Sequence, residues 1–293
     1  MNRRRFIKTG LIFVPTLFVC NGGIARLGNL EPEVGLWMAN VKSLGNNWTS
    51  KSLVCNDYMI KALKANNLRS SIVRLNTLTG IGAGALRSVL IRDVNPSVND
   101  DPNGIDDADF SESVGLTTGG ASNEWIITGC KQSDLYALDA TNHSFTYGAY
   151  VCASNNQNGF AMGEYNGSDY CYLYVSNGSS QTFFSTGISA NQIGPIADSA
   201  GTGLYVGSYN SAVDAKLYKQ GVQIGTSAVP GLTQNVTFWV GFGDVNNQNT
   251  IGVAVSTKTW GGYFCGRSIA AASQPILNDI WKNAMRILGR TVT

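Results

Sequence analysis

The fold is decided by the segment that begins Leu204-Tyr-Val-Gly-Ser-Tyr-Asn210 and ends Ala284-Met-Arg-Ile-Leu-Gly-Arg290. Two further runs inside it also alternate or cluster β-branched and aromatic residues between Gly and Asn: Ala215-Lys-Leu-Tyr-Lys-Gln-Gly-Val-Gln-Ile-Gly225 and Val236-Thr-Phe-Trp-Val-Gly-Phe242. Such runs, bounded by turn residues, predict antiparallel β-strands.

A single amphipathic helix is predicted at the end of this segment. Ser273 and Pro275 are typical of a helix start, and Gly289 is typical of a helix end. Apolar residues recur between them at helical spacing, namely Ile276/Leu277, Ile280/Trp281, Ala284 and Ile287/Leu288. We expect the face that carries Ile280, Trp281, Ala284 and Leu288 to dock against the strands.

Residues 110–270 are predicted to be almost wholly strands, because β-branched and aromatic runs alternate there with turn residues. Asn166-Gly167 and Asn177-Gly178 are strong hairpin signals. Outside the terminal helix, substantial helix is expected only at about residues 55–67, where apolar residues again fall at helical spacing. The pattern predicts a sandwich of two antiparallel sheets.

This order of elements resembles the LamG-like, concanavalin A-like jelly-roll domains of phage tail fibres and related virion or surface proteins. The resemblance rests on a YxNG-type turn at Tyr218-Lys-Gln-Gly221, an IAxAS-type strand at Ile269-Ala-Ala-Ala-Ser273 and a helix that ends Leu288-Gly-Arg290. It covers about Val54 to Arg290. It implies a mainly β protein, an antiparallel jelly-roll (LamG/concanavalin A-like) sandwich with a short N-terminal helical region and a C-terminal helix.

Three regions follow: an export leader or retained N-terminal arm at residues 1–25, a helical and extended region at 26–95, and the LamG-like β-sandwich with its terminal helix at 96–293. The first region contains Arg3-Arg-Arg-Phe-Ile-Lys8, which matches a twin-arginine export pattern. An apolar stretch that is too short to span a bilayer follows it. Two alternatives stay open, a lipoprotein cysteine at Cys20 and an uncleaved basic arm that serves assembly.

The composition favours an exported or virion-borne β protein. Only 14% of residues are charged, against about 25% in ordinary soluble domains. The 34 glycines suit many tight turns. A net charge of +2 gives no electrostatic case for nucleic acid as a partner, and no segment is predicted to span a membrane.

The sequence predicts that the protein is not an enzyme. His143 is the only histidine, and its place before a predicted strand favours a structural role. No Gly-x-Ser-x-Gly motif is present, and no pair of glutamates has the E-x-D-x-x-E spacing of glycosidases with this fold. Glu124 with Asp134 is the remaining carboxylate pair, and solvated strand-end side chains explain it better.

An acidic connector is the best candidate for a metal site. Calcium prefers several oxygen ligands from a turn-rich loop, and the connector offers Asp100, Asp101, Asn103, Asp106, Asp107 and Asp109. The order departs from an EF-hand loop because no terminal Glu is present. LamG-like modules often bind calcium, although usually from loops between later strands. A calcium cofactor therefore stays open, beside a solvated connector that binds no cofactor.

Trp260-Gly-Gly-Tyr263 is the candidate carbohydrate site, because glycines beside Trp260 and Tyr263 would leave both aromatic faces open in a loop. Ordinary core packing is the alternative. Cys152 and Cys171 flank a predicted hairpin and would form a disulfide if their strands pair. Buried free thiols are the alternative for these two residues.

These observations predict a non-enzymatic structural or adhesion protein on a virion or extracellular surface. It is expected to assemble with itself or with other virion or surface subunits, and to bind cell-surface carbohydrate through uncharged surfaces. The alternative is a twin-arginine-exported bacterial protein of the cell envelope or medium with a lectin-like role. A glycan-degrading enzyme is the third and least supported class.

Overall fold

The computed structural model describes residues 30–118, 124–154, 160–165, 170–175, 179–185, 192–211, 213–228, 239–245 and 258–293. The predictions for the leader at residues 1–25, including Cys20, lie outside the described residues, as do the two Asn-Gly hairpin signals.

The helices are α1 (Pro32–Ser43), α2 (Ser50–Ala65), α3 (Gln132–Tyr136) and α4 (Gln274–Leu288). Proline at the first turn begins α1 and α4. Thr49 and Ser52 begin α2 with a reciprocal capping box, since each side-chain oxygen accepts a hydrogen bond from the other residue's backbone N–H. Gly289 ends α4 in the left-handed conformation, with φ of 81°.

The strands are β1 (Ile72–Asn76), β2 (Ile91–Arg92), β3 (Asp101–Asn103), β4 (Phe110–Ser111), β5 (Gly115–Thr117), β6 (Trp125–Lys131), β7 (Phe145–Ala153), β8 (Phe160–Tyr165), β9 (Tyr170–Tyr174), β10 (Gln181–Ser185), β11 (Ile193–Ala197), β12 (Gly203–Ser211), β13 (Asp214–Lys219), β14 (Val222–Ser227), β15 (Trp239–Val245) and β16 (Thr259–Gly266). Every strand pairing among them is antiparallel.

The described strands form two sheets. The first has the order β14-β13-β12-β7-β16-β1-β2. β5 pairs with the same edge of β16 as β1, at the other end of the strand, and β4 pairs with β5. The second has the order β11-β10-β9-β8-β15-β6-β3. The β13–β14 hairpin turns at Gln220 and Gly221, where φ is 51° and 81°. Positive φ at both central residues is the geometry of the tight hairpin turn that matches the strand twist.

The central strands of the first sheet are buried on both faces. One face of β7 places Tyr147, Ala149 and Val151 in the core between the two sheets. The opposite face places Tyr150 and Cys152 in a second core under α1, α2 and α4. The molecule therefore has three layers, in the order second sheet, first sheet and helices.

Helix α4 docks on the outer face of the first sheet as predicted. Ile280, Trp281, Ala284 and Leu288 are all buried. The Trp281 ring stacks on Tyr150 and Phe264, with both centroid distances at 6.2 Å. These contacts confirm that the face chosen from the helical spacing is the one that packs on the strands.

The buried Arg290 side chain holds the chain after α4 against the sandwich. Its Nη1 donates to the carbonyls of Thr77 and Gly261 at 3.1 and 2.7 Å, and its Nε donates to the carbonyl of Glu112 at 2.8 Å. Backbone carbonyls, rather than a carboxylate, thus satisfy these donors of the buried guanidinium. Burial lowers the pKa of Arg290.

The structure confirms the predicted fold class: antiparallel sheets in a sandwich, short N-terminal helices and a C-terminal helix. The N-terminal helical part is longer than the residues 55–67 expected, since α1 precedes it and α2 begins at Ser50. The predicted boundary at residue 95 falls within shared structure, because β1 and β2 pair into the same sheet as β16. Among the described helices, none is both long and apolar enough to cross a bilayer.

Replacing Trp281 with Ala should lower the free energy of unfolding by about 3–5 kcal/mol, because a large buried ring is lost from the helix–sheet interface. Ile276→Ala on the same helix is the matched control, since Ile276 is 41% exposed. We expect this control to change stability by no more than about 0.5 kcal/mol. Urea unfolding of both variants measures the difference. A loss of stability for Trp281→Ala as small as that of the control would show that α4 is peripheral.

Candidate functional site

A groove open to solvent lies between α1 and the connector around β2. Its volume is about 120 Å³. Trp37, Val89, Leu90 and Ile91 are buried side chains that form its apolar part. Its other lining residues are Glu33, Leu36, Arg69, Arg92, Asp93 and Pro96. The combination of an apolar floor and a charged rim is typical of a binding site.

Trp37 fixes the floor of the groove. Its Nε1 donates to the Ser88 carbonyl at 3.2 Å, and its ring centroid lies 6.2 Å from that of Trp48. Leu36, the neighbouring residue of α1, is 66% exposed. The groove thus combines a buried aromatic side chain with an apolar side chain that is exposed to solvent.

Arg69 closes one end of the rim as a fully paired cation. It donates two parallel hydrogen bonds to Asp93, at 2.7 and 2.9 Å, and its Nε donates to Glu33 at 3.2 Å. The Asp93 hydrogen bonds raise the pKa of Arg69. Burial alone would raise the pKa of Glu33, but hydrogen bonding to Lys64 lowers it. Lys64 also pairs with Glu31 at 2.6 Å, so Arg69 belongs to a network of ion pairs at this end of the groove.

Arg92 is the cation of the rim that has a neutral partner. Its Nη1 donates to Asn99 Oδ1 at 3.1 Å, and the same oxygen accepts a 2.8 Å bond from Asn40 of α1. Within the described part of the chain, Arg92 forms no ion pair, in contrast to Arg69 and Arg74. Burial and the nearby Arg74 charge lower the pKa of Arg92. A carboxylate placed in the groove would relieve this cost.

The structure removes Asp100 from the predicted calcium site. Asp100 is fully buried and accepts hydrogen bonds from Arg74 at 2.9 Å, Asn76 at 2.8 Å and Tyr263 at 2.6 Å. Burial alone would lower the pKa of Arg74, but the nearby negative charge of Asp100 raises it. Asp100 is therefore the acidic partner of a buried ion pair. Its carboxylate faces Arg74, Asn76 and Tyr263 and not the other carboxylates of the connector.

Three other acids of the connector accept hydrogen bonds from backbone N–H groups, and two of them, Asp106 and Asp109, stabilise the same turn. Asp107 Oδ1 accepts the Ala83 N–H at 2.7 Å, Asp106 Oδ1 accepts the Ala108 N–H at 2.7 Å, and Asp109 Oδ2 accepts the Asp106 N–H at 2.7 Å. Asp101 is exposed on β3, and the side chain of Asn103 lies outside the described residues. No three acidic, histidine or cysteine side chains among the described residues are placed to hold a metal ion.

The prediction of a carbohydrate platform at Trp260 and Tyr263 is wrong. Both side chains are fully buried in the core between the sheets, so neither ring has a face for a sugar. Trp260 Nε1 donates to Thr118 Oγ1 at 3.4 Å, and the Tyr263 hydroxyl donates to Asp100. The glycines between them leave room for α4, because a Cβ at Gly262 would lie 2.9 Å from the Trp281 ring.

Cys152 and Cys171 do not form the predicted disulfide. Cys152 lies on β7 of the first sheet and belongs to the core under the helices. Cys171 lies on β9 of the second sheet and belongs to the core between the sheets. Both thiols are free and buried, which agrees with the alternative interpretation.

The ionisable residues considered for catalysis have structural partners. His143 Nδ1 lies 3.2 Å from the Tyr136 carbonyl oxygen, and its backbone φ is 52°. Asp134 Oδ2 accepts the Lys131 N–H and the Asn95 amide, both at 2.8 Å, at the start of α3. These contacts place His143 and Asp134 in turn and capping roles.

Sequence reasoning missed a second buried polar cluster, around Asp198. The carboxylate accepts hydrogen bonds from Thr182 of the second sheet, from Tyr205 of the first sheet and from Lys219. Burial alone would raise the pKa of Asp198, but the Lys219 and Tyr205 hydrogen bonds lower it. No local motif marks this cluster, because the partners come together only when the two sheets pack. No local motif marks the groove of α1 either, because its lining residues come from separate segments of the chain.

No protein-family model matches this chain, and no curated protein matches it. Among solved structures, a Trypanosoma rangeli sialidase is similar over 78% of this chain and 38% of its own length, with 12% identity and a TM-score of 0.47. The binding domain of botulinum neurotoxin serotype D/C is similar over 74% of this chain and 53% of its own, with 13% identity and a TM-score of 0.48. The chain thus spans about half or less of the length of each of these two proteins. Likeness at this level assigns no activity.

Replacing Asp100 with Asn should lower the free energy of unfolding by about 3–5 kcal/mol, because it leaves the Arg74 guanidinium buried without its counter-charge. Asp101→Asn is the control next to it, since that side chain is exposed and should contribute no more than about 0.5 kcal/mol. Urea unfolding compares them. Similar small losses for both variants would contradict a buried ion pair.

Proposed function

We propose that this protein is a non-enzymatic adhesion or structural protein of a virion or extracellular surface, and that it binds carboxylate-bearing cell-surface carbohydrate in the groove of α1. The observation that supports the proposal is the partly buried Arg92 guanidinium, which lines an apolar groove and forms its described side-chain hydrogen bond to the neutral Asn99. Arginine binds carboxylates with two parallel hydrogen bonds, which are strongest where water is partly excluded.

The other groove residues suit a sugar. Leu36 and Pro96 offer apolar surface to the C–H face of a sugar ring. Asp93 and Glu33 on the rim are acceptors for its hydroxyls, beyond the hydrogen bonds they already receive. A volume of about 120 Å³ is well below the roughly 300–1,000 Å³ of drug-sized sites. The groove is therefore too small for a long glycan chain, and we propose that one sugar unit binds at its open side.

The rival functions differ in measurable ways. A twin-arginine-exported envelope protein would have its leader removed, so an intact mass that begins at Arg26 supports export, and an intact Met1 supports a retained arm. A glycan-degrading enzyme would release reducing sugar from host polysaccharide. Binding of acidic glycans without such release supports the adhesion role.

Arg92→Ala should weaken binding to carboxylate-bearing glycans by about tenfold or more, because a charge-assisted hydrogen-bond pair is lost. Arg87→Ala is the matched control: Arg87 is exposed and lies outside the groove. A glycan array followed by titration calorimetry compares both variants with the unmodified chain. Equal binding by all three proteins, or no glycan binding by any, contradicts the proposal.

Self-assembly is the second part of the proposal, and an edge strand supports it. β14 is the outermost described strand of the first sheet, and its sequence Val222-Gln-Ile-Gly-Thr-Ser227 has no charge and no proline. Val222 is 66% exposed. Soluble proteins usually protect such edges with lysine, proline or a bulge. β14 has an irregularity at Ile224, where its register with β13 shifts, but it has neither lysine nor proline, so its edge is only partly protected against pairing with another subunit.

Val222→Lys should reduce the mass of assemblies in light scattering, because a charge on the edge opposes strand pairing. Val213→Lys is the control, since Val213 is 71% exposed but lies in the turn between β12 and β13. Assemblies of the unmodified chain should persist in about 1 M salt, where the Debye length is roughly 3 Å. A monomer at every concentration would remove assembly and leave a monomeric lectin.

A further inference from the structure

A chain of hydrogen bonds connects the floor of the groove of α1 to the cation on its rim. Trp37 Nε1 donates to the Ser88 carbonyl at 3.2 Å, and Ser88 Oγ donates to the Trp37 carbonyl at 3.3 Å. Asn40 Nδ2 donates both to Ser88 Oγ at 3.0 Å and to Asn99 Oδ1 at 2.8 Å. Arg92 Nη1 donates to the same Asn99 oxygen at 3.1 Å. Helix α1 thus holds Asn99, and Asn99 holds Arg92.

Asn99 lies behind the Arg92 guanidinium rather than in the groove. Its side chain is half-buried and does not line the groove, whereas Arg92 does. The hydrogen bonds described for the Asn99 side chain all end on Oδ1. A guanidinium has five N–H donors, and within the described residues only Nη1 of Arg92 has a protein partner. Asn99 therefore orients the cation while the remaining donors stay available to a ligand.

The other charges near Arg92 are already paired with one another. Arg74, which lies opposite Arg92 in the register of β1 and β2, forms its ion pair with Asp100 at 2.9 Å. Arg69 pairs with two carboxylates of the rim. Arg92 is thus held by a neutral amide, and the charge of that one neighbour decides whether its guanidinium is free to pair with an anion.

We propose that Asn99 is the positioning residue that sets the ligand charge accepted by the groove of α1, a role that rests on the proposed function of the same groove. Its neutral amide leaves the positive charge of Arg92 to the carboxylate of an acidic sugar. An aspartate in its place would still accept from Asn40 and Arg92, but it would supply the counter-charge from within the protein. The groove would then lose its preference for a carboxylate.

The experiment compares Asn99→Asp with the unmodified full chain, using sodium glucuronate and the uncharged glucuronamide as probes. The two sugars share one ring and differ in the carboxylate. NMR follows binding at the indole N–H of Trp37, a residue that lines the groove. We expect the unmodified chain to bind glucuronate at least about tenfold more tightly than glucuronamide, and Asn99→Asp to reduce this ratio to about one.

Asn47→Asp is the matched control. Asn47 is exposed and lies outside the groove, and its Oδ1 accepts from Lys42 Nζ at 3.4 Å. The change therefore places a new carboxylate beside a cation and alters the net charge by the same amount. It should leave the ratio of the two affinities unchanged. A loss of preference in both variants would reveal a general effect of charge and overturn the proposal.

Asn99→Ala separates orientation from charge. It removes the acceptor of Arg92 without adding a charge, so it should weaken the binding of both probes and keep the preference for glucuronate. A purely structural role of Asn99 would give the same result for the alanine and aspartate variants. If Asn99→Asp does not fold, unchanged affinities in Asn99→Ala still overturn the positioning role.

Urea unfolding gives a readout that needs no ligand. Asn99→Asp should raise the urea midpoint of the unmodified chain, because an ion pair with Arg92 forms. It should lower the midpoint in an Arg92→Ala background, because the new carboxylate then lacks its cation. A shift of the same sign in both backgrounds contradicts an action through Arg92.

The binding results distinguish the two proposals. If Asn99→Asp keeps the preference for glucuronate, the role of Asn99 is overturned and the proposed function stands. If the unmodified chain does not bind glucuronate, both are overturned.

Discussion

The close approach of α4 to β16 is the contact on which the rest of the structure depends. All eight residues of β16 are buried, because one face meets the second sheet and the other meets the helices. Gly261 and Gly262 permit this: added Cβ atoms would lie 2.7 Å from Met285 Sδ and 2.6 Å from the Asn76 carbonyl oxygen. Any side chain there would push away the helix or β1. The three-layer arrangement therefore requires two glycines at the centre of a strand.

Burying the first sheet on both faces limits where charges can lie. The Arg74–Asp100 pair is enclosed completely, and Asp198 joins side chains of both sheets. Each cluster satisfies its polar atoms internally, since an unpaired buried charge would be far more costly than a paired one. Chemistry with external molecules is consequently expected at the periphery. The groove of α1 and the edge of β14 are the peripheral features that support the proposed binding and assembly.

The predicted site residues failed for one common reason: each was judged by its sequence neighbours. Trp260 and Tyr263 flank glycines, which suggested an open loop, but those glycines make room for Trp281. Asp100 lies among acids, yet its partner Arg74 comes from β1. Cys152 and Cys171 flank a hairpin region, but their strands lie in different sheets. Contacts between residues far apart in sequence decided all three cases.

The sequence by itself determined the local elements: the antiparallel strands, the hairpin turn at Gln220-Gly221, and α4 with its buried face around Trp281. Periodicity and turn residues carry this information because they act over a few residues. Only the tertiary structure decided that β1 pairs with β16, that Arg74 forms an ion pair with Asp100, and that Arg92 lines a groove beside α1. Each of these depends on which faces pack together, and that choice minimises exposed apolar surface over the whole chain rather than within any one segment.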